Sequence, residues 1–281
     1  MKNVFDFKRF GKYFTYDLNN AWSNFGVSAL VTGLLPLIFL VFFVIFGLIF
    51  DGRVSEFPAP VKTILPFVMF VIMILSAPVK LYGSLTERKA GSDWLMIPAS
   101  SFEKFLSMAL MLCIVLPVVI FGLFALCDLL LGWLVPVYGG SIVKQIPSTL
   151  SGAASMSGNI IDGIPSSGFT VGGLVALAFL TWCASILPFG LGAVCFKKGK
   201  AAKTILCIFA LEMVLSILLV LFFKGGYDSG YDFGQFLSRI FGEMTAGKLQ
   251  FLANFLINLN FLIVVGGLLT ALFFRIKTLK H

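Results

Sequence analysis

The 281-residue chain is 59% hydrophobic and only 12% charged, whereas an ordinary soluble domain is about 25% charged. Its net charge of +8 would also fit a nucleic-acid-binding protein, but the basic residues flank long uncharged stretches instead of gathering on a polar module. The composition therefore excludes an ordinary soluble protein and predicts an all-α integral membrane protein that binds no nucleic acid.

In chain order, residues 1–26 are predicted to form a cytoplasmic, amphipathic amino-terminal segment. Within residues 4–18 one helical face is apolar and another is basic, which is typical of a helix that lies in the membrane interface. The apolar face carries Phe7, Phe10, Phe14 and Leu18, and the basic face carries Lys8, Arg9 and Lys12.

Six apolar stretches follow, and together they predict a transmembrane domain over residues 27–281. About 20 apolar residues, at a rise of about 1.5 Å each, cross a hydrocarbon core about 30 Å thick. Pro36, Pro117 and Pro188 fall inside three of the stretches and are candidate kink positions. The predicted spans are residues 27–50, 61–82, 105–135, 171–196, 203–223 and 252–274.

The distribution of lysine and arginine predicts the orientation of these spans. When the segments between the spans are counted alternately, 15 basic residues fall on the side of the amino terminus and 6 on the other side. Cytoplasmic segments carry the excess of basic residues, so both termini are predicted to lie in the cytoplasm.

Two of the predicted outer loops have a distinct composition. Residues 136–170 are rich in serine and glycine and are expected to be irregular. Residues 233–244 carry apolar positions at helical spacing and predict a second amphipathic segment, just before the last span. This segment either lies on the outer surface or re-enters the membrane beside the last span, and the sequence leaves both alternatives open.

Side chains suited to catalysis or metal binding are scarce. The one histidine is His281, and the five cysteines lack paired spacing, so we expect no metal site. Neither a phosphate-binding loop nor a set of nucleophile and base can be assembled from the sequence. We therefore expect no catalytic residue, no enzyme activity and no cofactor in this chain, and we interpret the cysteines as apolar packing residues.

The loop between the second and third predicted spans has the most distinctive sequence, TERKAGSDWLMIPASSFEKFLSMAL over residues 86–110. A compact charged cluster, Glu87, Arg88 and Lys89, follows the second span. An apolar run that includes Trp94 comes next and is broken by Pro98. Such a run does not remain in water, so we expect it to pack on the membrane surface or on a partner.

The end of this loop predicts the start of the third long helix. Ser100 is followed three residues later by Glu103, which is the spacing of a capping box. Lys104 comes next and is expected at the membrane interface.

The run from Glu87 to Lys104 resembles the intracellular loop of permease subunits of type-two ATP-binding cassette (ABC) exporters. In that family an acidic–basic pair and a glycine open the loop, a Leu-x-x-Pro-x-Ser turn follows, and a lysine leads into the third span. Six spans with both termini inside agree with the same resemblance. The matching positions are Glu87, Arg88, Gly91, Leu95, Pro98, Ser100 and Lys104.

The resemblance implies a half-unit that pairs with a second permease copy or a paralogue in the bacterial inner membrane. It also implies a separate ABC ATPase, which would hold ATP and Mg and drive a substrate outward. Glu87 and Arg88 would then lie near the ATPase, with Trp94 and Leu95 supporting the turn. The alternative is that the loop is a plain capped connection that carries positive-inside charge.

Glu212 is the only ionisable residue near the middle of a predicted span, since Asp128 lies nearer the outer end of its span and is expected at the interface. A charge at mid-span costs about 2.5–3.5 kcal/mol on insertion scales, so this carboxyl is expected to face protein or water, or to be neutral. Glu212 is either a proton or substrate site or a neutral group hydrogen-bonded to Asn258 or Asn260. Two other functions therefore stay open, a proton-coupled secondary transporter and a non-transporting membrane scaffold.

Overall fold

The computed structural model describes residues 5–50, 52, 56–87, 91, 94, 96–155, 171–227 and 246–278. Throughout these ranges the regular secondary structure is helical. A 3₁₀ turn, Gly83–Thr86, ends the third helix, and a π-helical turn, Met111–Val115, joins the fourth to the fifth. The α-helices are α1 (Phe7–Gly33), α2 (Leu35–Phe50), α3 (Ala59–Tyr82), α4 (Ser101–Leu110), α5 (Leu116–Leu134), α6 (Ile146–Ser155), α7 (Val171–Cys195), α8 (Lys200–Tyr227) and α9 (Ala246–Thr278).

Five helical stretches are long and apolar enough to cross a membrane, and a sixth is obtained when the bent pair α1–α2 is taken as one span. The predicted all-α, multi-pass membrane class is confirmed. These five stretches correspond to the second to sixth predicted spans and are Ala59–Thr86, Ser101–Leu134, Gly172–Cys195, Lys200–Leu218 and Ile257–Thr278. The segment 233–244, predicted to be amphipathic, lies outside the described residues.

The first predicted span does not begin at a helix start. Helix α1 continues through residues 26 and 27, where the amino-terminal segment was predicted to end, and stops at Gly33. Helix α2 then leaves at an angle of 48°. Pro36 explains the break, because proline lacks a backbone N–H and its ring clashes with the carbonyl four residues earlier, that of Thr32. The amino-terminal segment and the first part of the first span are therefore one continuous helix.

A second helical defect lies just before Pro117. The turn Met111–Val115 is π-helical, and Trp182 of α7 donates through Nε1 to the Leu112 carbonyl at 3.2 Å. A wide turn disturbs the regular backbone ladder, and a carbonyl in an apolar core needs a donor. Pro188, in contrast, lies inside a continuous α7.

The core lies where α3, the α4–α5 helix and α7 meet. Residues spaced by four along α3 face this core, and Leu65, Met69, Met73 and Ala77 are each at most 1% exposed. Helix α7 packs most extensively against α9 and also contacts α3 and α8. Helix α8 is peripheral, as is the apolar part of α9, because only 6% of each apolar window is buried, against 39% for α3.

The loop 136–170, which was expected to be irregular, contains a helix. Two 3₁₀ turns, Pro136–Tyr138 and Val143–Gln145, lead into α6. Pro147 in the first turn of α6 has the backbone angle that a helix start requires, and the alanines that follow favour a helix. Residues 156–170 lie outside the described residues.

Asp128, which was expected at the interface, is fully buried within the protein. Its carboxylate accepts hydrogen bonds from Tyr138 Oη and Ser141 Oγ, both at 2.6 Å, and from the backbone N–H of Val143 at 3.0 Å. Lys62 Nζ lies 4.6 Å from the centre of the Tyr138 ring. Burial raises the pKa of the Tyr138 hydroxyl, so this group stays protonated and donates a hydrogen bond to Asp128. These bonds fold the loop over the end of α5.

We expect Tyr138→Phe to lower the free energy of unfolding by about 1–3 kcal/mol, because the buried Asp128 carboxylate loses a donor. Unfolding of the detergent-solubilised protein, followed by circular dichroism, measures the change. Tyr16→Phe is the matched control, since Tyr16 is 55% exposed and its hydroxyl is replaced by water, with a change below about 0.5 kcal/mol. Equal stability of the two variants would contradict the structural role of Tyr138.

Candidate functional site

The loop after α3 starts with the 3₁₀ turn Gly83–Thr86, which is followed by the exposed side chain of Glu87. Lys200, at the start of α8, donates through Nζ to the carbonyl of Gly83 in the 3₁₀ turn. The backbone N–H of Gly91 donates to the Glu87 carbonyl at 2.8 Å. The Glu87 side chain is exposed, whereas Gly91 is buried.

The predicted capping box at the end of the loop is confirmed. Ser100 Oγ accepts from the backbone N–H of Glu103 at 3.2 Å, and the Ser100 N–H donates to Glu103 Oε2 at 2.8 Å. These reciprocal bonds satisfy backbone donors that the first turn of α4 leaves free, so they fix where the helix begins. Pro98, just before the cap, is exposed, and the predicted site residues Arg88 and Leu95 lie outside the described residues.

Glu103 also binds the first turn of α1. Arg9 Nε lies 2.8 Å from Glu103 Oε2, and Arg9 Nη2 lies 2.6 Å from Oε1. The backbone N–H of Asp6, the N-cap of α1, donates to Oε1 at 3.1 Å. Glu103 is fully buried, and two guanidinium nitrogens facing two carboxylate oxygens is the arrangement in which arginine binds most strongly. One carboxylate thus joins the start of α1 to the start of α4.

Trp94 and Lys104 make a second connection to α1. Trp94 Nε1 donates to Tyr13 Oη at 2.9 Å, and Lys104 Nζ donates to the Trp94 carbonyl at 2.8 Å. The same ammonium lies 4.5 Å from the centre of the Trp94 ring, where the negative ring face attracts a cation. Lys104, which was expected at the membrane interface, is only 5% exposed and is therefore buried in the protein.

The apolar run that was expected to pack on the membrane surface or on a partner is divided between two environments. Trp94 is half-buried and packs within the chain, against the core and Tyr13. Met96 is 80% exposed. The loop therefore has an anchored side and an open side.

Asp17 makes the third connection of α1. Its Oδ2 accepts from Tyr82 Oη, at the end of α3, at 3.0 Å and from Ser107 Oγ of α4 at 2.6 Å. All three side chains are buried, where a satisfied polar group is worth more than in water. We name the following residues the anchoring cluster: Arg9, Tyr13, Asp17, Tyr82, Trp94, Glu103, Lys104 and Ser107.

The sequence pattern pointed to the loop members of the anchoring cluster and missed the role of α1. Arg9, Tyr13 and Asp17 recur every four residues, so they share one face of α1. A polar stripe at this spacing is the signal that would have identified them. The prediction instead used the phenylalanines on another face of this helix, of which Phe7 is 81% exposed in the folded chain.

The three polar residues predicted inside the spans do not form one hydrogen-bonded group. Glu212 is exposed on α8, Asn260 is exposed on α9 and Asn258 is half-buried there, and within these described helices no hydrogen bond joins Glu212 to either asparagine. Glu212 lines a groove of about 420 Å³ between α3, α7, α8 and α9, together with Thr181 and Ser185. The Glu212 side chain is therefore accessible from this groove.

The anchoring cluster is suited to holding helices in fixed positions. Over the ranges that the structure describes, His, Cys, Asp and Glu form no group of three or more that could hold a metal ion. The cluster instead consists of one ion pair and a set of directed hydrogen bonds among α1, α3, α4 and the loop.

The helices and the anchoring cluster together define an all-α, multi-pass membrane protein with a loop tied to its amino-terminal helix. The chain matches no protein-family model, no curated protein and no solved structure. The geometry of the site is therefore what supports a functional proposal.

We expect Arg9→Glu to release the first turns of α1 from α4, because two carboxylates would then face each other in a buried site. Chymotrypsin should cleave after the phenylalanines of α1 severalfold faster in this variant than in the wild type. The charge-swapped variant Arg9→Glu/Glu103→Arg should regain part of this protection, since the ion pair is restored with reversed polarity. It should stay below the wild type, because the bonds from the backbone N–H groups of Asp6 and Ser100 to Glu103 are lost.

Lys12→Glu is the control for this experiment, because it makes the same charge change on an exposed side chain of the same helix. A cleavage rate of Arg9→Glu no higher than that of Lys12→Glu would contradict the anchoring role of the ion pair.

Proposed function

We propose that this chain is the transmembrane permease subunit of an ATP-driven exporter of the type-two ABC class. It works with a separate ABC ATPase, which holds ATP and Mg, and with a second permease copy or a paralogue. Its place is the bacterial inner membrane, with both termini and the loop 86–110 in the cytoplasm.

The two-sided geometry of the loop carries this proposal. Glu87, Met96 and Pro98 are exposed, while Glu103 and Lys104 are buried among bonds to α1 and to Trp94. A partner that pushes on the open side acts on an element whose other side is fixed by directional bonds. Such an element transmits a displacement, whereas a loose connection would absorb it.

The helices attached to the loop extend the same reasoning across the chain. The loop joins the span Ala59–Thr86 to the span Ser101–Leu134, and the anchoring cluster adds α1. Displacement of the loop therefore moves three long helices together. This supports a coupling role more than that of a plain connection.

The decisive experiment is purification from the native cell in mild detergent, with an ATPase assay and mass spectrometry of the co-purifying proteins. We expect a stoichiometric ATPase with the wild type. Glu87→Gln/Arg88→Gln should reduce the recovered ATPase by more than about tenfold, because charged contacts at the centre of an interface are worth more than about 1.4 kcal/mol.

The matched control is Arg53→Gln/Glu56→Gln, which removes one acid and one base from the loop predicted on the opposite side of the membrane. This variant should retain the ATPase. A chain that purifies alone from well-solubilised membranes, or a Glu87/Arg88 variant with undiminished ATPase, would contradict the exporter proposal.

The position of Glu212 supports a second candidate, a proton-coupled secondary transporter. Glu212 lines an otherwise largely apolar groove. An ionisable group within a membrane span costs free energy, and such residues commonly take part in proton or substrate pathways. In this case Glu212→Gln should abolish dissipation of an imposed pH gradient in proteoliposomes, with Glu56→Gln as the control acid. An ATP-driven exporter should keep its transport largely intact in the Glu212 variant, and a scaffold should be indifferent to every one of these substitutions.

A further inference from the structure

A polar pocket of about 290 Å³ opens between α1 and the end of α3. It lies on the anchoring cluster, and its walls come from three parts of the chain. Its polar and aromatic lining includes Asp17, Asn20 and Asn24 of α1, Tyr82 at the end of α3, Ser84 of the 3₁₀ turn that follows, and Trp94 of the loop.

Asp17 is the unusual member of this lining. It is only 7% exposed, and both of its hydrogen bonds go to Oδ2. In the part of the chain that the structure describes, no hydrogen bond reaches Oδ1, and no lysine or arginine nitrogen lies within salt-bridge distance of the carboxylate. A buried carboxylate without a neighbouring cation costs free energy. A positively charged ligand that donates a hydrogen bond to Asp17 Oδ1 would offset this cost.

The rest of the described lining favours a ligand of positive charge. None of the described residues that line the pocket is a lysine or an arginine, and Lys104 of the same cluster is directed to the Trp94 carbonyl. One carboxylate surrounded by amides, hydroxyls and aromatic rings repels an anion and suits an ammonium group, which has N–H donors and is attracted by ring faces.

The position of the pocket along α1 suggests where such a group comes from. Its α1 residues come just before the apolar run that begins at residue 27. Trp22, which lies between Asn20 and Asn24 in the sequence, is 61% exposed, and Lys80 of α3 donates to Ser28. Exposed tryptophan and lysine at the end of an apolar run are typical of the headgroup level of a bilayer.

We propose that this pocket binds the ammonium group of an aminophospholipid headgroup, with Asp17 Oδ1 as its acceptor. Asn20 and Asn24, which are exposed at the rim and joined by a 3.1 Å hydrogen bond, contact the polar remainder of the headgroup. The bound lipid occupies the face of the anchoring cluster that the protein leaves open. This site does not depend on whether the chain works with an ATPase.

Native mass spectrometry of the purified full chain tests the proposal, with phosphatidylethanolamine and phosphatidylglycerol of identical acyl chains as probes. The wild type should retain the ethanolamine lipid about tenfold more than the glycerol lipid, which is the ratio expected from one charge-assisted hydrogen bond. Asp17→Asn keeps an oxygen for Tyr82 and Ser107 but loses the charge, so this preference should disappear.

Two further variants separate binding from folding. Ser107→Ala removes a bond to the other oxygen of Asp17 without changing the pocket, and it should keep the lipid preference. Asn20→Lys places a cation at the exposed rim without touching the hydrogen bonds of Asp17, and it should abolish the preference even if Asp17→Asn does not fold.

Undiminished preference in both Asp17→Asn and Asn20→Lys would overturn the proposal and leave Asp17 as an anchor of α1 alone. Soluble ethanolamine provides the last comparison. If it stabilises the protein against heat while the wild type shows no preference between the two lipids, the lipid assignment is overturned.

Discussion

Burial of the Glu103 carboxylate is the constraint on which the arrangement of the loop and the amino-terminal helix depends. A carboxylate without exposed surface must find its hydrogen-bond donors inside the protein. Glu103 finds them on the Arg9 guanidinium, on the backbone of Asp6 and on its own N-cap residue, Ser100. These donors belong to separate parts of the chain, and each is needed to satisfy the same two oxygens. The entry of α1, the end of the loop and the start of α4 therefore have one relative geometry.

Asp128 plays the corresponding part near the other end of the same long helical stretch, Ser101–Leu134. Between the two acids the packing is apolar, with methionine and leucine side chains filling the space around α3. Contacts of this kind do not by themselves set the height of a helix in a membrane, because lipid tails provide a similar environment. Directional bonds at the two ends supply what the apolar middle lacks. The groove at Glu212 lies away from both of these hydrogen-bonded groups, beside the peripheral α8.

Features with local causes were accessible from the sequence, and features with distant causes were not. Length and hydropathy sufficed for the spans, and the spacing of Ser100 and Glu103 sufficed for the capping box. The contact between Arg9 and Glu103 joins residues 94 positions apart, and no local pattern indicates it. The sequence around Pro36 does not show whether a helix kinks or ends there, because the outcome depends on how α1 and α2 pack against their neighbours. The burial of Lys104 and Asp128 was missed for the same reason, since a charge near a span end suggests solvent until its partners are known.

The π-helical turn at Met111–Val115 decides how the two halves of the third long helix face their neighbours. Such a turn holds one residue more than an α-helical turn, and the extra residue is absorbed locally. Glu103 and Ser107 before the turn thus face α1, while Asp128 beyond it faces Tyr138 and Ser141. Loss of one residue inside this turn would restore a plain α-helix and leave both faces in place. The same loss a few residues later would rotate Asp128 by about 100° away from its donors. We therefore expect this helix to tolerate the loss of one residue at the π-helical turn better than the same loss a few residues later.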